Sequence, residues 1–170
     1  FDEHALLAYL QQHRGCSGYG VELDDANVLA CMRRGVDVLQ LNLDQGLQEF
    51  ADQSFDVVLQ IDTFQHLHNA QTMLLETVLV GRMGIIAFTN FAHSSNPLSN
   101  QRGRMPVNAR LPNEWYNTPN IRVGTFADFG VLAARNGLRV LDKFGLSETG
   151  QIVRQLPNLL ASTAVYRVAR

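Results

Sequence analysis

The chain has 170 residues, 46% of them hydrophobic, and 14 Lys and Arg against 16 Asp and Glu, a formal charge of −2. That length fits a single domain over residues 1–170 with an ordinary core. The near-neutral charge argues against the cationic surfaces that hold nucleic acid or an anionic membrane. No apolar run is long enough to span a bilayer, and Phe1 opens no basic-then-apolar leader. Cys16 and Cys31 make no disulfide framework, so the chain reads as cytoplasmic.

From Asp2 to Gln12, Leu6, Leu7 and Leu10 recur at helical spacing. Gly18 to Asp24 is short, apolar and stops on acids, as a strand would. Asp24 or Asp25 then caps a helix carrying Val28, Leu29 and Met32, and Gly35 stands where a left-handed C-terminal cap belongs. Val36 to Leu41 is strand-like, and Leu47 and Phe50 are expected on a short helix. Phe55 to Ile61 reads as a buried strand, followed by a helix that Asn69 caps and Gly81 ends. Gly84 to Thr89 is the next strand. Residues 93–120 form a polar, turn-rich stretch long enough to be functional. Thr125 and Asp128 then make a capping box for a helix that Gly137 closes. Strands at Leu138 to Phe144 and Leu160 to Val168 complete the chain.

Strands alternating with helices predict right-handed βαβ units: an α/β, Rossmann-like open sheet, mainly parallel, with helices on both faces. Ligands of such sheets bind beyond the carboxyl ends of the strands. The first strand delivers Glu22 and Leu23 there, then Asp24. An acid at that place can accept two hydrogen bonds from a ribose diol, whereas Asp24 reads better as a helix cap. The second strand delivers Asn42, Leu43 and Asp44: an amide to read an adenine edge and a leucine to pack on its face, or a turn bonding its own backbone. The third delivers Gln60, Asp62, Thr63, Phe64 and Gln65, polar groups that would be costly without a partner, at ~1–3 kcal/mol each.

Three features read as decoys. The glycines of Gly15 to Gly20 precede a strand, whereas a phosphate cradle must follow one and open a helix. His66 and His68 lack a third ligand, so no metal site is expected. The two cysteines have no His or metal context that would make either a nucleophile.

The stretch LPNEWYNTPNIRVGT, Leu111 to Thr125, holds the chain's one Trp beside Tyr, Glu, three Asn and two Pro. In an enzyme, Trp115 and Tyr116 would wall an acceptor pocket while Asn113, Glu114 and Asn117 orient a substrate. In a binding protein, the same aromatics with Arg102, Arg104 and Arg110 would form a docking surface, these being hot-spot residue types. A structured loop built from turn formers accounts for the composition equally well.

GYGVELDDANVLACMRRGVDVLQLNLDQGLQEFADQSFDVV, then RGRMPVNARLPNEWYNTPNIRVGTFADF, then LPNLLAS, resemble the MetW family of methionine biosynthesis proteins. The likeness covers nearly the whole chain and is most specific over RMP…LP.EWY.TPNI. It implies the class I S-adenosylmethionine (SAM) methyltransferase fold. It also places Glu22, Leu23, Asn42, Leu43, Gln60 and Asp62 where such folds touch the ribose, adenine and methionine parts of SAM or S-adenosylhomocysteine. The family begins with a strand like V-L-D-L-G-C-G-D-G, whose glycine turn holds the methionine moiety; here Phe1 falls just inside the helix expected after that turn. Asn42 stands where an Asp is common. The resemblance further implies a role in methionine biosynthesis, moving a methyl group to a small molecule or serving as a partner subunit of a homoserine O-acyltransferase, and leaves a homodimer open. It assigns no catalytic residue; Glu114, His93 and Tyr116 are the bases that composition offers.

Overall fold

The computed structural model describes residues 3–93, 105, 107–108, 111–114 and 116–170. Arg102, Arg104, Arg110 and Trp115, singled out above, lie outside the described residues. The chain divides into two compact units, Phe1–Gly46 and Leu47–Arg170.

In the first unit, α1 spans Glu3–Arg14, β1 Gly20–Glu22, α2 Asp25–Arg33 and β2 Val38–Gln40, and a 3-10 turn follows at Leu43–Gln45. β1 and β2 pair in parallel, with Gly20 opposite Val38 and Glu22 opposite Gln40. The Asp24 side chain accepts from the Ala26 N–H at 3.4 Å and so caps α2. Gly35 takes the left-handed conformation (φ 70°) that turns the chain from α2 towards β2.

The second unit contains β3 (Phe55–Ile61), α3 (Ala70–Val80), β4 (Gly81–Thr89), α4 (Phe126–Arg135), β5 (Arg139–Leu146), β6 (Ile152–Val153), α5 (Pro157–Leu160) and β7 (Thr163–Ala169). Its sheet has the order β3-β4-β7-β5-β6. β3 and β4 are parallel, and β7 lies antiparallel to both β4 and β5. β3, β4 and β5 therefore run the same way, so their carboxyl ends share one edge of the sheet. The pair β5 and β6 is a short antiparallel hairpin.

Several local expectations differ, among them the last strand, which begins at Thr163 and not at Leu160. Leu47 and Phe50 form a turn, not a helix: the Leu47 N–H goes to the Glu76 carboxylate of α3, while the Phe50 ring meets Phe55 edge-on at 5.3 Å. A side chain thus supplies the acceptor that a helical turn would have supplied. β4 starts three residues earlier than the apolar run: Gly81 and Met83 already pair with Phe55 and Val57 of β3, while exposed Arg82 lies 3.2 Å from Asp56. Asn69 precedes α3 without a side-chain capping bond. β6 and α5 were not expected at all, being too short to carry a period.

Within this unit α3 and α4 pack on one face of the sheet. Leu74 and Val78 of α3 and Phe126, Phe129 and Ala133 of α4 close over Ile86, Phe88, Ala164, Tyr166 and Val168 of β4 and β7. Phe129 is the centre, with its ring 5.7 Å from Phe64, 5.3 Å from Phe88 and 4.6 Å from Tyr166. Rings at these tilts and distances add to their area burial. Tyr166 is fully buried and donates its hydroxyl to the Phe126 carbonyl at 2.6 Å. The polar end of a core aromatic thereby finds its partner at the start of α4.

A second polar tie lies at the end of β4. The Asn90 side chain is fully buried. Its amide N–H groups donate to the carbonyls of Pro157, Asn158 and Ala161 at 3.4, 2.9 and 2.7 Å. Its oxygen accepts from the N–H groups of Phe126 and Ala92 at 3.0 and 3.3 Å. One side chain thus joins β4, the first turn of α4 and the whole of α5. The α4 cap is completed by Thr125, whose hydroxyl accepts from the Asp128 N–H at 3.1 Å, the capping half of the expected box, and donates to the Asp128 carboxylate at 2.7 Å.

Two expected outcomes follow for stability. Replacing Asn90 by Ala leaves buried backbone groups of α4 and α5 without partners, so chemical denaturation should show a loss of about 3 kcal/mol or more. Burial pushes the Tyr166 hydroxyl from its ordinary 10.0 up to about 12. The folded state therefore keeps a proton that the unfolded chain releases, so this contribution is whole below pH 10 and is lost as pH rises towards 12. The thermal midpoint should fall across that window in the native protein and fall less in Tyr166→Phe.

Candidate cofactor and substrate site

In the first unit the parallel register sets Glu22 beside Gln40 at the carboxyl ends of β1 and β2. The chain then continues from Glu22 into Leu23 and from Gln40 towards Asn42 and Leu43. Glu22 accepts from the Asn27 side chain at 3.3 Å. Leu23 is 64% exposed, a large apolar surface at a strand end. Beneath it, the Gln40 amide donates to the Leu23 carbonyl at 3.2 Å and to the Asp25 carboxylate at 2.6 Å, which holds the two strand exits in fixed relation. The Asn42 oxygen accepts from the Asp44 N–H at 3.0 Å, so this side chain closes a turn of its own and caps the 3-10 turn in which Leu43 and Asp44 sit.

In the second unit the polar residues at the end of β3 divide. Gln60 turns towards α3, where its amide donates to the Thr77 hydroxyl at 2.6 Å in the buried layer. Asp62 follows in a left-handed conformation (φ 50°), which Asp tolerates better than most residues. One of its carboxylate oxygens is buried with no hydrogen-bond partner among the described residues. Gln65 receives three bonds: its carbonyl accepts from the N–H groups of Ile121 and Arg122, both at 3.2 Å, and its side-chain oxygen accepts from Thr89 at 3.4 Å.

These bonds fasten the far end of the polar loop across the ends of β3 and β4. Arg122 completes the fastening by donating from Nε to the Leu67 carbonyl at 2.9 Å and from Nη2 to the His68 carbonyl. His66 contacts the Pro119 carbonyl through Nδ1 at 3.2 Å. Asn90 and Gly124 form a parallel bridge, and Phe91 donates to the Gly124 carbonyl at 3.0 Å. The two histidines set aside as metal ligands thus lie in the strand-end turn to which the loop is tied. Asn120, at the edge of the fastened segment, has its own buried amide oxygen without a partner.

The tip of the loop is built from turns. Asn108 and Leu111 exchange backbone bonds at 2.9 and 3.1 Å, and the Asn117 N–H returns to the Glu114 carbonyl at 3.2 Å. Tyr116 is largely exposed, Glu114 is exposed and Asn113 is half-buried. Arg122 was not singled out from the sequence. The signal was there, since it is the one cation between Arg110 and Arg135 and sits just after Pro119-Asn120-Ile121.

The family described as "Methionine biosynthesis protein MetW" matches residues 2–168. A bifunctional methionine biosynthesis protein MetXA/MetW of Rhodopirellula baltica is 38% identical over 155 residues, covering 86% of this chain and 24% of the relative. The chain therefore spans about a quarter of that relative's length. Among solved structures, a SAM-dependent methyltransferase of Archaeoglobus fulgidus superposes with a TM-score of 0.70 at 10% identity, covering 98% of this chain and 82% of its own. Another, from Thermotoga maritima, gives 0.67 at 18% identity over 88% and 71%. At such identities the likeness speaks for the fold, which is that of the class I SAM-dependent methyltransferases. With the family matched over nearly its whole length, the chain belongs to the MetW family of methionine biosynthesis proteins.

Proposed function

We propose that this chain binds SAM, or S-adenosylhomocysteine, and serves methionine biosynthesis as the partner subunit of a homoserine O-acyltransferase. The observation that carries the reading is the relative in which a MetW part and a MetXA part share one polypeptide. Covalent linkage keeps two modules at high effective concentration, which is useful when both act at one step. The nucleoside part of the reading is supported by the ends of β1 and β2. There an acid, Glu22, stands next to an exposed leucine, Leu23, in fixed register with the second strand. A ribose diol donates to such a carboxylate, and a purine face or ribose edge packs on the leucine. No helix among the described residues is long and apolar enough to cross a membrane; we place the protein in the cytoplasm, as a single functional domain.

A second reading, methyl transfer to a small molecule, draws on Asp62. A strained residue with an unpartnered buried carboxylate oxygen is a group kept ready for a donor. SAM carries an activated methyl group, so positioning an in-line acceptor supplies much of the catalysis. An amine or hydroxyl acceptor must also lose a proton, and Asp62 can take it.

Calorimetric titration of SAM into the full-length protein tests the first reading. Micromolar binding is expected, weakened about tenfold or more in Glu22→Gln, which keeps the shape but removes the charge that the diol favours. Folded protein that takes up no SAM or S-adenosylhomocysteine contradicts it. Asp62→Asn separates the second reading: product formation with an active acceptor at saturating SAM should fall by ~10²-fold or more, whatever the variant's affinity for SAM.

A further inference from the structure

We infer that the turn after β3 and the segment after Pro119 together build a site for the ammonium group of a small amino compound. This rests on the second reading above and names the class of its acceptor: an amine, bound as its ammonium. Asp62 and Asn120 supply the acceptors, each through a buried oxygen that no described residue meets. Gln60 and Thr163 keep an unmet buried oxygen too, but both are neutral and stand elsewhere. The Gln60 amide lies under α3 against Thr77, and Thr163 belongs to the ladder between β7 and β4.

Bonds of the neighbouring residues bring Asp62 and Asn120 together. The Asp62 N–H stays on the Ala87 carbonyl of β4 at 2.8 Å, while its left-handed backbone turns the chain out of β3. His66 closes the next turn by donating its N–H to the Thr63 carbonyl at 3.0 Å. Onto this turn come the residues on either side of Asn120. The N–H groups of Ile121 and Arg122 go to the Gln65 carbonyl, and the Pro119 carbonyl meets His66 Nδ1. Asn120, its own N–H bonded to the Thr118 hydroxyl at 3.1 Å, is thus pinned against the turn that Asp62 opens. Backbone strain and unmet buried polar atoms occur together at ligand clamps.

The chemistry of the two groups selects the ligand. A carboxylate and an amide oxygen only accept, so a phosphate or carboxylate ligand would set acceptors against acceptors. The nearby guanidinium is already engaged, since Arg122 gives Nε and Nη2 to the Leu67 and His68 carbonyls. A metal ion wants more ligands, and no group of three His, Cys, Asp or Glu suited to one lies among the described residues. An ammonium offers three donors, no acceptor and a positive charge that strengthens its bonds to a carboxylate.

The test titrates n-butylammonium chloride and 1-butanol into the full-length protein, read by saturation-transfer NMR, with and without saturating S-adenosylhomocysteine. That compound carries the same amino-acid ammonium as SAM. The butylammonium should bind at least ~10-fold more tightly than the alcohol and keep its site when S-adenosylhomocysteine is bound. Asp62→Asn, which suits the left-handed backbone and so keeps the fold, should cut that preference to about threefold or less. Asn120→Leu should weaken butylammonium binding about fivefold. Equal binding of ammonium and alcohol by the native protein overturns the site, and this comparison needs no variant. An undiminished preference in folded Asp62→Asn overturns it as well. Displacement by equimolar potassium marks an adventitious cation only, and loss of butylammonium once S-adenosylhomocysteine binds gives the oxygens to SAM's own ammonium; either result sinks the proposal. Butylammonium binding without methyl transfer to any amine contradicts the second reading and leaves the site standing. Methyl transfer to a hydroxyl acceptor, by a protein that ignores the ammonium, does the reverse.

Discussion

The buried side chain of Asn90 is the constraint on which the second unit depends. It ends β4, caps the first turn of α4 and gathers the carbonyls of Pro157 and Asn158 in α5 and of Ala161 just after it, so three elements far apart in sequence meet at one amide. An apolar residue of the same size would leave those backbone groups buried and unpaired, each a cost comparable to the net gain of several hydrogen bonds. Because the amide spans them all, α5 needs no leucine in the core, and α4 delivers Phe126 and Phe129 against Tyr166 in one arrangement. An amide is suited to this by carrying donors and an acceptor on one plane.

A parallel logic governs the strand ends. Most of the polar groups there are engaged by the protein itself: Gln60 with Thr77, Gln65 with Thr89 and the segment around Ile121, and Arg122 with the carbonyls of Leu67 and His68. What looks from composition like a reactive rim is largely fastening, which lays the segment after Pro119 across β3 and β4. Asp62 and Asn120, and Gln60 through its Oε1, each retain a buried oxygen without a hydrogen-bond partner among the described residues. Rigid fastening beside unmet acceptors is the condition under which a ligand carrying donors gains most, since the ordering has been done in advance.

Much of this was legible in the residues. The bounds of β3, the end of α3 at Gly81 and the Thr125–Asp128 box follow from periodicity and capping chemistry acting locally. The order of β1, α2 and β2 and the roles of Asp24 and Gly35 follow in the same way. The family was legible as well, through segments such as LPNLLAS and TPNI. The fastening was not. Asn90, Asn158 and Arg122 act on partners 31 to 71 positions away, and no local pattern distinguishes a side chain that ties loops from one that meets solvent. α5 escaped notice because four residues cannot show a helical period, and its last residue, Leu160, read as the start of a strand. The turn at Leu47–Phe50 shows the converse case, in which a helical spacing of two apolar residues arises from a turn closed by the Phe50 N–H on the Leu47 carbonyl, with Glu76 accepting from Leu47.

The central claim is that a methyltransferase-fold protein serves methionine biosynthesis through an acyltransferase that it joins. Its most direct test is the turnover of purified homoserine O-acyltransferase, measured alone, with the full-length MetW-family protein at equal concentration, and with that protein plus saturating SAM. The account predicts that adding the protein changes kcat several-fold and that SAM shifts the size of the effect, as it does when the ligand binds the joined and free forms with different affinity. Identical turnover in all three mixtures, with both proteins folded, would contradict it.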